Sequence, residues 1–264
     1  MKIASIGAGR MAGALIRGLV EAGVCASSEI AVADPVQAAR EQLAAAVGGR
    51  PASTNADAVA DADVVLLCVK PNDVAAALTA CGGALSGKLL LSIVTGWSIA
   101  ALKQHAPGAR VIRAMPNTPA QVSAGATAYA GDDSASEGDL ALAGNILGAV
   151  GVAIAVSEKQ LDAVTGLSGS GPAYIFLVME ALSDGGVAAG LPRQLATQLA
   201  TQTVLGAAKL AIETGEHPAL LREAVTSPGG TTAAGLGVIE ASAVRSAFAE
   251  AVLAAAARAE ELGK

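Results

Sequence analysis

The sequence has 264 residues, of which 53% are hydrophobic and only 2% aromatic, and its formal net charge is −6 at pH 7. This length suits two domains, and the acidic balance excludes nucleic-acid binding through bulk positive charge. The three cysteines form no C-x-x-C pair and no histidine–cysteine cluster has metal-site spacing, so we expect neither a redox motif nor a bound metal.

The longest apolar stretch, Leu140 to Val156, raises the question of a membrane. It contains Asn145 and three glycines, and it is predicted to be a helix end, a turn and a short strand. A spanning helix needs about 20 predominantly apolar residues without such breaks. The first residues run straight into a folded motif rather than an apolar leader, so we expect a cytoplasmic protein without a signal peptide.

The first half of the chain alternates between strand and helix patterns. Strands are predicted at 2–6, 30–33, 63–69, 89–94 and 110–115, with helices at 10–22 and 36–47. The run over 63–69 is continuously apolar, which suits a strand buried on both faces of a parallel sheet. The alternation predicts an α/β fold with a doubly wound parallel sheet and right-handed crossovers.

The segment that joins the first strand to the first helix reads Gly-x-Gly-x-x-Ala. Gly7 permits a tight turn, Gly9 lets the backbone approach a pyrophosphate, and Ala12 allows close packing of helix on sheet. Free N–H groups at the helix start would face the phosphates. This context predicts a Rossmann dinucleotide site rather than an ordinary glycine turn. Its predicted members are Ile6, Gly7, Ala8, Gly9, Arg10, Met11 and Ala12.

Asp34, followed by Pro35, ends the second predicted strand. A carboxylate in that position commonly binds the adenosine ribose 2′-hydroxyl, which favours NAD over NADP. An aspartate before proline also caps turns, so both roles stay open for Asp34. Arg40 could bind a 2′-phosphate or be a solvated helix residue. The sequence therefore predicts NADPH or NADH as the cofactor, without a preference.

Further cofactor contacts are expected from the carboxyl ends of the neighbouring strands, where ligands of open α/β sheets bind. The candidates are Asn55, Cys68, Val69, Lys70, Pro71, Thr95 and Gly96. Pro71 ends a buried strand and makes that turn a wall for the ribose or nicotinamide. A plain loop role is equally open for Lys70, Asn55 and the pair Thr95-Gly96.

The second half of the chain has helical patterns. Helices are predicted over 172–189, 192–214, 218–225 and 242–262. Pro172, Pro192 and Pro218 occupy positions expected of prolines in a first turn. We place the domain boundary after residue 157, which divides the chain into a dinucleotide-binding domain over 1–157 and a helical domain over 158–264.

The segment Ser227-Pro-Gly-Gly-Thr-Thr232 opens another predicted helix. Its glycines allow unusual backbone angles, and successive N–H groups at a helix start can hold a carboxylate without any arginine or lysine. An ordinary capped helix start explains the same residues equally simply, because serine and threonine are favoured caps. Alone, this segment does not decide between the two.

Several longer segments together resemble the pyrroline-5-carboxylate reductase family over nearly the whole chain. They are the glycine turn at 7–12, VKP at 69–71, VIRAMPNTP at 111–119, DAVTGLSGSGPAY at 162–174, DGGVAAGLPR at 184–193 and HPALLREAVTSPGGTT at 217–232. The stretch SPGGTT, with the helix to Glu240, resembles the signature region of that family. The pair Asp34-Pro35 departs from the small polar or basic residue that many members have there.

The resemblance implies reduction of 1-pyrroline-5-carboxylate to L-proline by NADPH or NADH. It implies an N-terminal Rossmann domain followed by an all-α C-terminal domain through which subunits form a dimer or a pentamer of dimers. The substrate-binding residues implied by position are Thr165, Ser227, Gly229, Gly230, Thr231 and Thr232. Thr232 is the catalytic candidate, because its hydroxyl would lie near the ring nitrogen.

Two other interpretations compete with this one. A β-hydroxyacid dehydrogenase would need a catalytic lysine on a C-terminal helix, and Lys209 is the lysine well inside such a stretch. A non-catalytic dinucleotide sensor would keep the glycine turn but has no need of the anion site at 227–232. His105 and His217 are the only histidines, and both are expected to be structural.

Overall fold

A single mixed sheet occupies the N-terminal part of the chain in the computed structural model, which describes residues 1–263. Its strands are β1 Ile3–Ile6, β2 Ile30–Ala33, β3 Arg50–Ala52, β4 Val64–Leu67, β5 Leu89–Ser92, β6 Arg110–Met115, β7 Gly125–Gly131 and β8 Gly151–Ala155. Their order in the sheet is β3-β2-β1-β4-β5-β6-β7-β8. Neighbouring strands run parallel, except that β6 and β7 are antiparallel.

The order of the strands creates a crevice beside β1. The chain leaves β1 toward β2 on one side and returns to β4 on the other, which makes this a topological switch point. Ile6, the last residue of β1, is level with Ala33 of β2 and Leu67 of β4. Gly7, Asp34 and Cys68 therefore follow three adjacent strands at the same edge of the sheet.

Helices cover both faces of the sheet. They are α1 Arg10–Glu21, α2 Gln37–Val47, α3 Asn55–Val59, α4 Val74–Thr79, α5 Ile99–His105, α6 Glu137–Gly148 and α7 Leu161–Val164. Side chains alternate between the two faces along each strand, so Val64 and Val65 enter different apolar clusters. One cluster packs under α1, α2 and α6, and the other under α3, α4, α5 and α7.

The predicted Rossmann architecture is confirmed, and two strands were not predicted. The predicted strands at 30–33 and 110–115 match β2 and β6, and the stretch 140–156 contains the predicted helix end and short strand. The strand β3 has three residues, includes Pro51 and lies at a sheet edge, where proline is tolerated. The strand β7 reads GATAYAG, and glycine and alanine give little strand signal.

The rest of the chain is helical, as predicted. The helices are α8 Gly171–Ala188, α9 Arg193–Thr214, α10 Pro218–Ala224, α11 Thr231–Ala241 and α12 Val244–Leu262. The predicted bounds of α8, α9, α10 and α12 lie within two residues of these, and α11 begins inside the segment 227–232. Pro192 is the N-cap of α9 rather than a first-turn residue, because its ψ of 141° is extended.

The structure divides into two compact units. The nucleotide unit consists of Met1–Ser170 together with the last turns of α12 from Leu253, and the helical unit of Gly171–Val252. Within the helical unit the buried residues are Ser183, Ala196 and Ala200. No helix in residues 1–263 is both long enough and apolar enough to cross a membrane.

Candidate functional site

The turn after β1 requires glycine at position 7. Gly7 has a φ of +103°, which L-residues with side chains rarely adopt. A Cβ added there would lie 2.6 Å from the carbonyl oxygen of Cys68, just after β4. The Gly7 N–H donates to the Ala33 carbonyl at 2.8 Å, and the Ser5 hydroxyl donates to the Gly7 carbonyl at 2.7 Å. The backbone at the ends of β1, β2 and β4 therefore fixes this turn.

The start of α1 is open and fits a dinucleotide pyrophosphate. Gly9 is the exposed N-cap of α1, and a Cβ added to it would meet no heavy atom within 4 Å. No side chain caps the helix, and the first intrahelical bond runs from the Gly13 N–H to the Gly9 carbonyl at 2.9 Å. The N–H groups of Arg10, Met11 and Ala12 precede that bond, and such groups bind phosphates.

Asp34 has two main-chain partners. Its Oδ2 accepts the Ala8 N–H at 2.8 Å, inside the glycine turn, and its Oδ1 accepts the Val36 N–H at 2.8 Å. The side chain therefore connects the turn after β1 to the turn after β2, as a capping aspartate does. Pro35 lies exposed between these contacts. The Nη1 of Arg40, on α2, donates to the main-chain carbonyl of Asp34 at 3.2 Å.

The side chain of Trp97, after β5, is hydrogen-bonded to the turn after β4. Lys70 precedes a 3₁₀ turn over Pro71–Asp73, and both Lys70 and Pro71 are exposed. The Nε1 of Trp97 donates to the Pro71 carbonyl at 3.0 Å. Val69 packs against the apolar cluster below. The predicted wall of the cofactor crevice is thus held from behind by Trp97, to which the sequence had given no role.

Three other predicted contacts have structural partners of their own. The Asn55 side chain donates to a main-chain carbonyl of α4 at 3.0 Å, so it ties α3 to α4. The Thr95 hydroxyl lies 3.7 Å from the sulfur of Met115. Gly96 approaches the end of α12 so closely that an added Cβ would be 2.9 Å from the Leu262 carbonyl oxygen. Thr95 and Gly96 stay at the carboxyl end of β5, level with the predicted wall.

A buried arginine connects β6 to the segment around α7. The Arg113 side chain is only 10% exposed, and it pairs with Glu158 at 3.4 Å and Asp162 at 3.1 Å. Glu158 also accepts the N–H of Ile99 at 2.7 Å. The network joins β6 to α7 and to the start of α5. The sequence showed Arg113 inside a distinctive motif, but it could not reveal carboxylate partners 45 and 49 residues away.

Asn117 makes a second connection across the same region. Its Nδ2 donates to the Ser168 carbonyl at 3.1 Å, and its Oδ1 accepts the Ala126 N–H at 2.9 Å. Ser168 belongs to a π-helical segment, Thr165–Gly169, and π-helical turns are rare and frequent at functional sites. The buried Thr165 donates its hydroxyl to the Leu161 carbonyl at 2.8 Å.

The second predicted site lies in the helical unit, at the start of α11. Gly230 is the N-cap of α11 and no side chain caps the helix. The Gly230 N–H is already donated to the Ser227 carbonyl at 3.0 Å. The first intrahelical bond runs from Ala234 to the Gly230 carbonyl, so the N–H groups of Thr231 and Thr232 precede it. An anion at this loop would therefore be bound by those two groups rather than by Gly230.

The cysteines do not offer a nucleophile. Burial raises the pKa of the Cys68 thiol to about 12 and that of Cys81 to about 11. Burial also raises the pKa of Cys25 above its usual range. A thiol is the unreactive form of cysteine, so all three act as small apolar side chains near neutral pH.

The other titratable candidates, His105, His217 and Lys209, also make contacts with nearby residues of the protein. His105 stacks edge-on against Trp97, and the Nδ1 of His217 accepts the Ala219 N–H as the N-cap of α10. Lys209 is exposed and pairs with Glu213 on its own helix at 3.5 Å. In residues 1–263 no cluster of histidine, cysteine or carboxylate side chains could hold a metal ion.

Comparison with known proteins gives consistent results along the whole chain. The family model described as pyrroline-5-carboxylate reductase dimerisation matches residues 158–262, and one described as NADP oxidoreductase coenzyme F420-dependent matches residues 2–96. The pyrroline-5-carboxylate reductase of Arabidopsis thaliana is 46% identical, over 100% of this chain and 96% of that protein.

Solved structures agree with these matches. A pyrroline-5-carboxylate reductase from Coxiella burnetii superposes with a TM-score of 0.94 at 38% identity, covering 100% of this chain and 98% of the other. The Plasmodium falciparum pyrroline carboxylate reductase with NADP bound has a TM-score of 0.90 at 29% identity, covering 100% and 98% of the two chains.

Proposed function

Since the chain belongs to the pyrroline-5-carboxylate reductase family, its reaction is the NAD(P)H-dependent reduction of 1-pyrroline-5-carboxylate to L-proline, the last step of proline biosynthesis, and we propose that the turn Gly7–Ala12 holds the cofactor for it. The observation that carries this assignment of residues is the uncapped start of α1 beside the open space at Gly9. The bound nicotinamide supplies the hydride. The chain's own residues have only to bind, orient and shield the reactants.

Hydrogen bonds within the protein fix the turns that would hold the cofactor. Asp34 fixes the glycine turn through Ala8, and Trp97 fixes the opposite wall through Pro71. Both hydrogen bonds join groups of the protein itself, so contacts other than those to the cofactor order these turns. Preorganisation of this kind raises affinity by lowering the cost of ordering.

For the substrate carboxylate we assign the start of α11. Thr231 and Thr232 present main-chain N–H groups at the positive end of an 11-residue helix. Ser227 shapes the loop by accepting the Gly230 N–H, and Gly229 permits the turn with a φ of +70°. This arrangement binds an anion without a basic side chain.

Protonation of the product nitrogen does not demand a strong acid from the chain. A protonated imine is already an electrophile, and hydride addition to its carbon leaves a neutral amine. The hydroxyl of Thr232 would orient the ring nitrogen by a hydrogen bond. Thr165, buried in the π-helical segment, is the proposed lining of the ring pocket.

Removing the N–H of Thr231 tests the carboxylate site. Thr231 is the first residue of α11 and Gly230 before it is extended, so Thr231→Pro keeps the helix and deletes one donor. We expect kcat/KM for 1-pyrroline-5-carboxylate to fall about 10- to 100-fold, because hydrogen bonds to charged groups contribute about 1.5–3 kcal/mol. The unsubstituted cyclic imine 1-pyrroline, which lacks the carboxylate, is the control, and its kcat/KM should not change. Equal losses for both imines would contradict the assignment.

Thr232→Ala tests the hydroxyl separately from the backbone. The loss of one hydrogen bond, worth about 1 kcal/mol, should lower kcat/KM roughly five-fold. Thr232→Ser restores the hydroxyl and should restore most of the rate. Wild-type kinetics in the alanine variant would remove Thr232 from the catalytic role.

The activity itself is tested by following NADH and NADPH absorbance in parallel with 1-pyrroline-5-carboxylate. Rapid loss with either cofactor is the expected result. Cofactor binding without turnover of any imine would instead favour a dinucleotide sensor. The absence of turnover of 3-hydroxy acids with NADP⁺ in the same assay would exclude a β-hydroxyacid dehydrogenase. The exposed Lys209 offers no enclosed site for that reaction.

We also propose that the enzyme is a cytoplasmic homo-oligomer, a dimer or a pentamer of dimers. Large apolar side chains stay exposed on the helical unit, among them Phe176, Leu205, Ile212 and Val238 at 55%, 57%, 81% and 69%. Exposed apolar surface of this extent marks an interaction site. The family match that begins at residue 158 supports the proposed boundary after 157, whereas the compact units of the structure divide after Ser170. Light scattering should give two or ten times the 25.6 kDa of one chain.

A further inference from the structure

The adenosine end of the cofactor crevice contains an acidic and a basic side chain, and their hydrogen bonds give them different tasks. Both carboxylate oxygens of Asp34 already accept main-chain N–H groups, those of Ala8 and Val36, each at 2.8 Å. One of these groups lies in the glycine turn and the other follows β2. The carboxylate is therefore fixed against the backbone as a brace between the two turns.

Arg40 is placed differently. It is the fourth residue of α2, and its side chain points back toward the start of the helix, as helical side chains do. There its Nη1 donates to the Asp34 carbonyl, so the guanidinium stands at the carboxyl end of β2. An arginine has five N–H donors, and among residues 1–263 the structure shows one of them in use.

The start of α2 adds donors at the same place. Val36 is its N-cap without a side-chain cap, and its first turn contains no acidic residue. Ala39 and Arg40 donate the first bonds to the Val36 carbonyl, which leaves the N–H groups of Gln37 and Ala38 ahead of them. A guanidinium beside free helical N–H groups suits a dianionic phosphate better than a ribose hydroxyl.

We infer that Arg40 binds the 2′-phosphate of the cofactor and makes this enzyme prefer NADPH, and that Asp34 braces the glycine turn for either cofactor. This inference rests on the proposed function only in placing the adenosine ribose at the end of β2. It gives separate roles to two side chains that the sequence alone left open.

Binding of adenosine fragments tests the role of Arg40 without catalysis. Adenosine 2′,5′-bisphosphate and 5′-AMP differ by the 2′-phosphate alone, and calorimetry gives the dissociation constant of each. We expect wild type to bind the bisphosphate at least about 10-fold more tightly, and Arg40→Gln to remove most of that ratio while its 5′-AMP affinity stays unchanged. Arg17→Gln, which removes an equal charge from an exposed position on α1, should keep the wild-type ratio.

Two outcomes of that titration would overturn the inference. A wild-type enzyme without preference for the bisphosphate would show that no 2′-phosphate site exists. Parallel losses for both fragments in Arg40→Gln would assign the guanidinium to stacking on adenine. NADH-dependent turnover of 1-pyrroline-5-carboxylate by the same preparation keeps this question separate from the proposed function, because it does not depend on the 2′-phosphate.

Asp34→Asn tests the brace. The amide keeps one acceptor oxygen but cannot accept both N–H groups, so the glycine turn loses one of its two bonds. We expect the dissociation constants of NAD⁺ and NADP⁺ to rise by the same factor, about three- to ten-fold for one lost hydrogen bond. A selective loss of NAD⁺ with a gain for NADP⁺ would instead show that Asp34 binds the ribose hydroxyl and discriminates between the cofactors.

Discussion

Gly9→Val is expected to lower the affinity for NADPH at least about 100-fold and to leave the fold intact. Gly9 has an extended backbone, with φ −72° and ψ −179°, which valine adopts readily. Its Cβ would meet no atom of the protein within 4 Å, so the substitution fills only the space in front of α1. The pyrophosphate needs that same space if the proposed cofactor site is correct.

Fluorescence provides a direct measurement of this loss. Trp97 is the only tryptophan of the chain and hydrogen-bonds the wall of the crevice, so bound NADPH should quench its emission by energy transfer. The melting temperature should stay within a few degrees of wild type, because replacing an N-cap glycine costs about 1 kcal/mol or less. Gly9→Ala, with a smaller side chain, should give an intermediate affinity. Normal quenching titrations in the valine variant would refute the pyrophosphate placement.

Gly7→Val, in contrast to Gly9→Val, should destabilise the folded state. The same side chain, two residues earlier, meets a φ of +103° and a backbone carbonyl 2.6 Å from its Cβ. Neither the strain nor the clash can relax without moving the ends of β1 and β4. We expect a destabilisation of about 3–5 kcal/mol, which is typical of such backbone conflicts.

Thermal melting and soluble yield measure this effect. A loss of that size lowers the melting temperature by roughly 10 °C in a protein of this length, or prevents soluble expression. Gly23→Val is the matched control, because Gly23 also has a positive φ, of +67°, but a Cβ there meets no atom within 4 Å. Gly23→Val should lower the free energy of unfolding by less than Gly7→Val does. A Gly7 variant as stable as this control would show that the turn after β1 is more tolerant than its geometry indicates.

Much of the fold could be predicted because its information is local. Ile30–Ala33 and Arg110–Met115 are short apolar runs with clear ends, and they form strands with those bounds. Gly125–Gly131 could not be predicted, because glycine and alanine carry little strand preference and β7 is held by its neighbours β6 and β8. Its antiparallel direction depends on those partners as well.

The candidate site divides in the same way. The glycine turn is a local sequence pattern, so its residues could be identified from their neighbours in the chain. The contact that braces the turn is not local, because Asp34 reaches Ala8 across 26 residues. The ion pair of Arg113 with Asp162, which joins β6 to α7, spans 49 residues. A single sequence does not show which charges meet at such distances. The sequence therefore predicted which residues form the turn, and the structure was needed to show what holds it in place.

The last turns of α12 have a consequence for how the protein is made. Residues from Leu253 belong to the nucleotide unit, and the main chain of Leu262 lies close to Gly96. Domains fold in order of their synthesis on the ribosome, N-terminal first. Here the whole helical unit, 171–252, emerges before the residues that complete the nucleotide unit. A nascent chain of 170 residues consequently has every strand of the sheet but lacks the end of α12, which lies against the turn after β5. That turn acquires its final environment only once translation has passed residue 262.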